Sequence, residues 1–273
     1  FKKMYYKGDF SEYKINITCT WEIINSLINK KQRADFHGLM NCNGELTDNA
    51  ETIANSFNDF FVNIGPSLDR KIPQNNNNIS FAKYLKEPCA NTLFFYPTTE
   101  YEICDIVKLF KNNKSPGVDN VSTKVIKCVI DELSKPLCHI FNQSLNLGIF
   151  PSQMKVARVT PIYKNGDKCT LNNYRPISVL SCFSKILERI VYKRVITFLN
   201  KNKMLSDNQY GFRNNYSTSL ALVNIANRIV DAFEQNSFLI GIFVDLSKAF
   251  DTINHNILLA KLNHYGIRSI PHG

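Results

Sequence analysis

No uninterrupted apolar run in the 273 residues approaches the ~18–20 residues that a membrane helix needs. The longest candidate, Phe238–Leu246, is strand-sized and ends in charge. Residue 1 is Phe, and Phe1–Phe10 has no apolar signal-peptide core, so the ends carry no targeting information and the chain reads as a fragment of an intracellular protein, cytoplasmic or nuclear. Cysteine motifs are also missing. Cys19, Cys42, Cys89, Cys104, Cys128, Cys138, Cys169 and Cys182 are scattered, with no C-x-x-C and no Cys/His ligand spacing. Reduced thiols are therefore expected. There is no G-x-x-x-x-G-K-[ST] and no G-x-G-x-x-G, which removes the usual support for NTPase and dinucleotide readings. None of the five histidines has a metalloprotease spacing, G-x-S-x-G is absent, and there is no internal repeat.

What is present is a globular composition, 44% hydrophobic and 21% charged, which excludes a disordered or collagen-like chain. The formal charge of +10 is unevenly placed. Residues 108–213 hold 18 Lys+Arg against 6 Asp+Glu, and the remainder holds 15 against 17. A basic segment of this kind suits a polyanion, nucleic acid first, although a basic solubility surface has the same composition.

Helical periodicity is expected at Trp21–Ile28 and at Asp48–Val62, where Ile53, Phe57, Phe60 and Phe61 share a face and Asp48 with Glu51 resembles a capping box. Ile72–Ser80, with a Pro and four Asn, reads as a connector. Thr98–Lys111 follows as a helix, stopped by Lys114-Ser115-Pro116-Gly117, with Asp119 placed to cap the next element. Val125–Leu147 carries helical periodicity. Val156–Tyr163 and Tyr174–Ile177 read as strands, with a turn signal at Asn165-Gly166. Phe183–Leu199 is amphipathic, a helix capped by Ser217 runs through Phe233, and Asn254–Leu262 is a short helix stopped at Gly266. Phe238–Val244 reads as a strand buried on both faces that lacks partners within the chain. The class is α+β or mixed α/β.

Three places carry chemistry. Asp245 ends the apolar Phe238–Val244 run, where a carboxylate needs a cation, donors or water; Mg²⁺ would satisfy it, and so would a role as a helix cap. Phe250 and Asp251 also read as a core aromatic and a surface acid, and Lys248 as a solvated side chain. Lys164 and Arg175 flank the hairpin turn and suit a polyphosphate if the turn closes at Asn165-Gly166, or else a solvated edge. Gln209-Tyr210-Gly211-Phe212-Arg213 sets two aromatics and a cation about a glycine, suited to bases or to anchoring a loop.

Four segments in one order, KSPGVDN at 114–120, PIYKNGDKCTLNNYRPISVLSCFSKILERI at 161–190, QYGFR at 209–213 and FVDLSKAFDTINH at 243–255, resemble the reverse transcriptase of non-LTR, LINE-type retrotransposons, the jockey-like elements most of all. The resemblance spans roughly 97–273. It implies an α+β right-hand polymerase: a helical N-terminal extension or linker over 1–95, fingers over 96–235, and an incomplete palm over 236–273. It implies an RNA template, a DNA primer, dNTPs and no membrane. By the resemblance, Asp245 and the Leu246 carbonyl bind Mg²⁺, Lys164 and Arg175 meet the incoming triphosphate, Phe250 is the gate against a ribose 2′-OH, and Gln209 and Arg213 contact the nucleic acid. The family's second signature, an aromatic-Ala-Asp-Asp turn, is absent from 1–273, as are its Gln-Gly segment and thumb. Two-metal transfer needs more than one carboxylate, and Asp251, six along on the expected following helix, points elsewhere. The expectation is a polymerase segment that does not polymerise alone; a nucleic-acid-binding module or degenerate remnant without catalysis is the alternative.

Overall fold

The computed structural model describes residues 39–40, 45–70, 81–85, 87–246 and 248–268. The helix expected at Trp21–Ile28 and the connector at Ile72–Ser80 lie outside these. The chain forms two units, Phe1–Phe60 with Tyr163–Tyr174, and Phe61–Ile162 with Arg175–Gly273. No described helix is long and apolar enough to cross a membrane.

In the first unit, β1 (Leu39–Met40) pairs antiparallel with β2 (Leu46–Thr47), Leu39 opposite Thr47. Helix α1 (Ala50–Asp69) begins here. Its cap is not the expected Asp48/Glu51 box: the Thr52 N–H donates to Asn49 Oδ1 at 2.9 Å. Asn is as good a cap as Asp, and Asn49 stands at the right offset. Phe57 is buried edge-on to Tyr174 at 5.0 Å, and Tyr174 meets Tyr163 at 5.6 Å. The helix also outruns its expected end at Val62 and passes through Pro66.

The second unit is built on α2 (Glu100–Lys108), α3 (Thr123–Cys128), α4 (Ile130–Leu147) and α5 (Cys182–Lys201). Ile103, Ile106 and Val107 from α2 pack with Ile126, with Leu137 and Phe141 of α4, and with Ile186, Leu187 and Ile190 of α5. These are the i, i+3, i+4 positions of each helix, so one apolar stripe per helix faces a common core. Thr99, Ser122 and Ser181 cap α2, α3 and α5. Asp119 caps nothing and instead accepts from the Val121 N–H at 3.1 Å. The helical periodicity expected over Val125–Leu147 is realised as two helices. Val129 (φ −121°, ψ 15°) leaves the helical region, and its N–H closes α3 on the Ile126 carbonyl at 3.2 Å.

Strands β3 (Arg158–Tyr163) and β4 (Tyr174–Val179) form the other two-stranded sheet. The hairpin does not close at Asn165-Gly166. The Lys164 N–H bonds the Asn173 carbonyl at 2.8 Å, across a loop of 164–173. Asp167 organises that longer loop, its Oδ1 accepting from the Cys169 N–H and its carbonyl from Asn173 Nδ2.

Helix α6 (Thr218–Glu234) starts at Ser217 as expected, yet none of its residues is buried. Helix α7 (His255–His264) is capped by Asn254, and Gly266 (φ 83°) ends it. Gly266 lies so close to the Asn91 carbonyl that a Cβ would not fit, and its own carbonyl accepts from the Leu93 N–H at 2.8 Å. The strand expected at Phe238–Val244 is not formed, and the segment is exposed rather than buried, Phe238 fully so. A strand exists only through a ladder partner, and none of the described residues offers it one.

Among the described residues, one fully buried side chain carries a charge. Arg194, 1% exposed, donates to both Glu102 carboxylate oxygens at 3.2 and 2.9 Å, and to the carbonyls of Tyr96, Pro97 and Ile190. Burial pushes the Glu102 carboxyl up, but hydrogen bonds from Arg194 and Thr98 and the charges of Arg194 and Lys193 hold it below its ordinary value of 4.5. A depressed carboxylate stabilises the fold above its unfolded pKa and loses that contribution as pH falls through the folded one. Thermal melts are therefore expected to show an acid loss of stability beginning near 4.5 that shrinks in Glu102→Gln; equal pH profiles for the two proteins would refute this role.

Candidate nucleotide and nucleic-acid site

The first motif, 114–120, is pinned from two sides. Arg158 of β3 donates from Nη2 to the Gly117 carbonyl and to Asn120 Oδ1, both at 2.8 Å. Gly117 is buried against the start of α5: a Cβ there would lie 2.7 Å from the Ser181 N and 2.9 Å from the Leu180 carbonyl carbon. The motif turn thus meets the hairpin strand through the Arg158 side chain and the start of α5 through a backbone approach that only glycine permits.

Lys164 stands just after β3 and Arg175 second in β4, and both are exposed. The longer loop found here leaves the two cations on the hairpin without the tight turn that was to bring them together.

The QYGFR segment is held by its own polar groups. Gln209 Nε2 donates to the Gly211 carbonyl at 3.1 Å. Arg213 Nη1 donates to the Ser206 carbonyl at 2.6 Å, and its guanidinium carbon lies 4.1 Å from the Tyr216 ring centre. Tyr216 meets Tyr210 edge-on, and Tyr210 Oη accepts from Asn224 of α6. What the loop presents to solvent is Phe212, 87% exposed, on a left-handed backbone (φ 59°). That conformation costs a non-glycine residue roughly 1–2 kcal/mol and marks a loop held against its preference.

Phe212 meets Phe250 edge-to-face at 6.2 Å and 89°. Gln209 and Arg213, the expected polar contacts, are turned into the loop, and Phe212 is the aromatic of the run that reaches solvent. The signal was the aromatic-Gly-aromatic run itself, in which the glycine frees the second ring to project.

Asp245 follows the exposed 238–244 segment and is itself exposed, with Leu246 beside it. It caps no helix, since α7 takes Asn254. Asp251 is not on a helix but in the turn before α7, its N–H on the Lys248 carbonyl at 2.9 Å and its own carbonyl against Gly65 of α1. Lys248 is half-buried rather than solvated, and burial lowers its pKa against the opposing pull of Asp251. The oxygen donors at Asp245 and Leu246 are of the hard type that magnesium prefers. Among the described residues, however, no three His, Cys, Asp or Glu gather as a metal-binding group, so the donor set does not amount to a two-ion centre.

Residues 162–271 match the profile of the family "Reverse transcriptase (RNA-dependent DNA polymerase)". This stretch of the chain belongs to the reverse transcriptase family. It is similar to "Probable RNA-directed DNA polymerase from transposon BS" of Drosophila melanogaster, 32% identical over 190 residues, which is 67% of this chain and 21% of that protein. It is also similar to "RNA-directed DNA polymerase from mobile element jockey" of Drosophila melanogaster, 32% identical over 66% of this chain and 20% of the relative. The jockey protein of Drosophila funebris is 30% identical over 68% of this chain and 20% of its own length. The reverse transcriptase segment is thus of the non-LTR, jockey-like kind, and the chain spans about a fifth of the length of these relatives. The expected α+β class agrees with the mixture of helix and sheet seen here.

Proposed function

We propose that this chain supplies the fingers (96–235) and the opening of the palm (236–273) of an RNA-directed DNA polymerase, preceded by a helical extension (1–95), acting on an RNA template, a DNA primer and dNTPs. The observation that carries the reading is the match over 162–271, which takes in the hairpin, QYGFR and FVDLSKAFD in one order. Lys164 and Arg175, exposed on the hairpin, bind the triphosphate. Phe250, backed by Phe212, bounds the space beside the sugar and excludes a 2′-hydroxyl. Gln209 and Arg213 serve the nucleic acid through the loop they hold, because their polar groups are already spent inside it. Asp245 and the Leu246 carbonyl are the part of a magnesium site that this chain contributes, and a bound ion there would neutralise charge on the polyphosphate. Asp245 is a single carboxylate, which is too few to place two ions.

Purified 1–273, incubated with RNA template, DNA primer, dNTPs and Mg²⁺, is accordingly expected to incorporate no nucleotide. It is expected to hold primer–template more tightly when dNTP and Mg²⁺ are both present, a gain lost in Asp245→Asn. Incorporation that vanishes in Asp245→Asn would overturn the single-carboxylate argument. A second reading, nucleic-acid binding without catalysis, is favoured by the basic 108–213 segment. Binding that falls with salt yet ignores Mg²⁺, dNTP and Asp245 would establish it instead.

A further inference from the structure

A cavity of about 650 Å³ opens between the end of α2, the turn that follows it and one side of α5. Ile106 and Phe110 form its apolar floor. Four cations surround it, Lys111, Lys114, Lys185 and Arg189, against one carboxylate, Glu188. Tyr192 closes one side, the Arg189 guanidinium carbon 5.4 Å from its ring centre. None of these residues is among those given above to the triphosphate, the magnesium site or the 2′-hydroxyl.

Two properties separate this place from an ordinary basic surface. Lysines that serve only solubility need no concave apolar floor with aromatic walls. The volume also falls within the ~300–1,000 Å³ range of small-molecule sites. An inorganic anion would use the cations and leave the rings idle. A duplex would offer phosphates but keep its bases paired and stacked. A nucleotide of a single strand uses both, its ring against aromatic and guanidinium faces and its phosphates on the ammonium groups.

We propose that this cavity binds one nucleotide unit of single-stranded RNA, base inward over Phe110 and Tyr192, with the flanking phosphates on Lys111, Lys114, Lys185 and Arg189. The proposal rests on the polymerase reading only for the choice of RNA as the strand; the cavity itself needs neither Mg²⁺ nor Asp245.

Fluorescence anisotropy of a labelled RNA octamer with purified 1–273 tests it. Lys185→Ala/Arg189→Ala is expected to weaken binding about 10-fold and to flatten the log–log salt slope by roughly 1.4, at ~0.7 per lost phosphate contact on a single strand. Tyr192→Leu keeps the apolar volume and is expected to weaken binding roughly 5- to 10-fold with the salt slope unchanged, as loss of stacking alone predicts. Lys135→Ala/Lys155→Ala, outside the cavity, should shift affinity less than about 2-fold. Thermal melts of all variants should match the parent, because the altered side chains are exposed or half-buried. Asp245→Asn should bind the octamer as the parent does, so that failure of the polymerase reading and failure of this one remain distinct. The proposal is overturned if the cavity pair behaves like the control pair, if duplex RNA binds as tightly as the octamer, if UMP alone competes at equal concentration, or if the octamer does not bind.

Discussion

Arg194→Met is expected to lower the unfolding free energy by about 3–5 kcal/mol, the usual cost of leaving one partner of a buried ion pair behind. The methionine retains the length of the arginine stem and much of its packing, so the loss isolates the guanidinium. With it go the donors to Tyr96, Pro97 and Ile190, both bonds to Glu102, and the stack on Tyr96 at 4.1 Å. The carbonyls lose a donor inside the core, and the part-exposed carboxylate keeps only Thr98 and Lys193. Urea unfolding at neutral pH reads the change directly, and the thermal midpoint should fall by roughly 10 °C. Arg194→Lys should recover little, because an ammonium cannot span both carboxylate oxygens and the three carbonyls at once. Arg194→Met/Glu102→Leu should recover much of it, since removing both charges leaves no orphan. A single variant within 1 kcal/mol of the parent would show that water replaces the guanidinium, and the buried-pair account would be wrong.

Gly117→Ala is expected to cost about 1–3 kcal/mol, as overpacking does when the obstacle is main chain. The contacts at issue, 2.7 and 2.9 Å to the Ser181 N and the Leu180 carbonyl carbon, involve atoms already committed to the start of α5. No rotamer change relieves them, so the 114–120 turn must move away from the helix or the helix start must unravel. Either shift loosens the bonds from Arg158 to Gly117 and Asn120. Gly211→Ala makes the control, because nothing lies within 4 Å of a Cβ there. Equal unfolding midpoints for the two variants would mean that the turn yields without strain.

The contrast between the helical core and the 238–246 segment shows what the chain's letters carried. The helices α2, α4 and α5 could be read because their apolar residues recur every three or four positions and are buried against one another. Ser217 and Asn254 marked their helix starts because capping is a local hydrogen bond. The break at Val129 was hidden, since both halves keep helical periodicity and the change lies in one pair of dihedrals. The hairpin closure was misplaced because Asn-Gly describes a tight turn, whereas the Asp167 bonds that hold the longer loop depend on residues several positions apart. Arg194 was overlooked, though a cation four residues beyond Ile190 on a buried stripe is an anomaly that asks for a carboxylate partner. At the candidate site the residue types could be read and their arrangement could not. Phe212 and Phe250 are 38 positions apart, and no local rule joins them.

Exposure of Phe238, Ile240, Ile242, Phe243 and Val244 has a practical corollary for handling this polypeptide. An exposed β-branched and aromatic stretch that pairs with no strand among the described residues is a template onto which a second copy can add, each molecule zipping to the next. Self-association of the purified material should therefore rise with concentration at a fixed temperature, and a lysine at Ile240 or Ile242 should suppress it by setting like charges along the growing fibre.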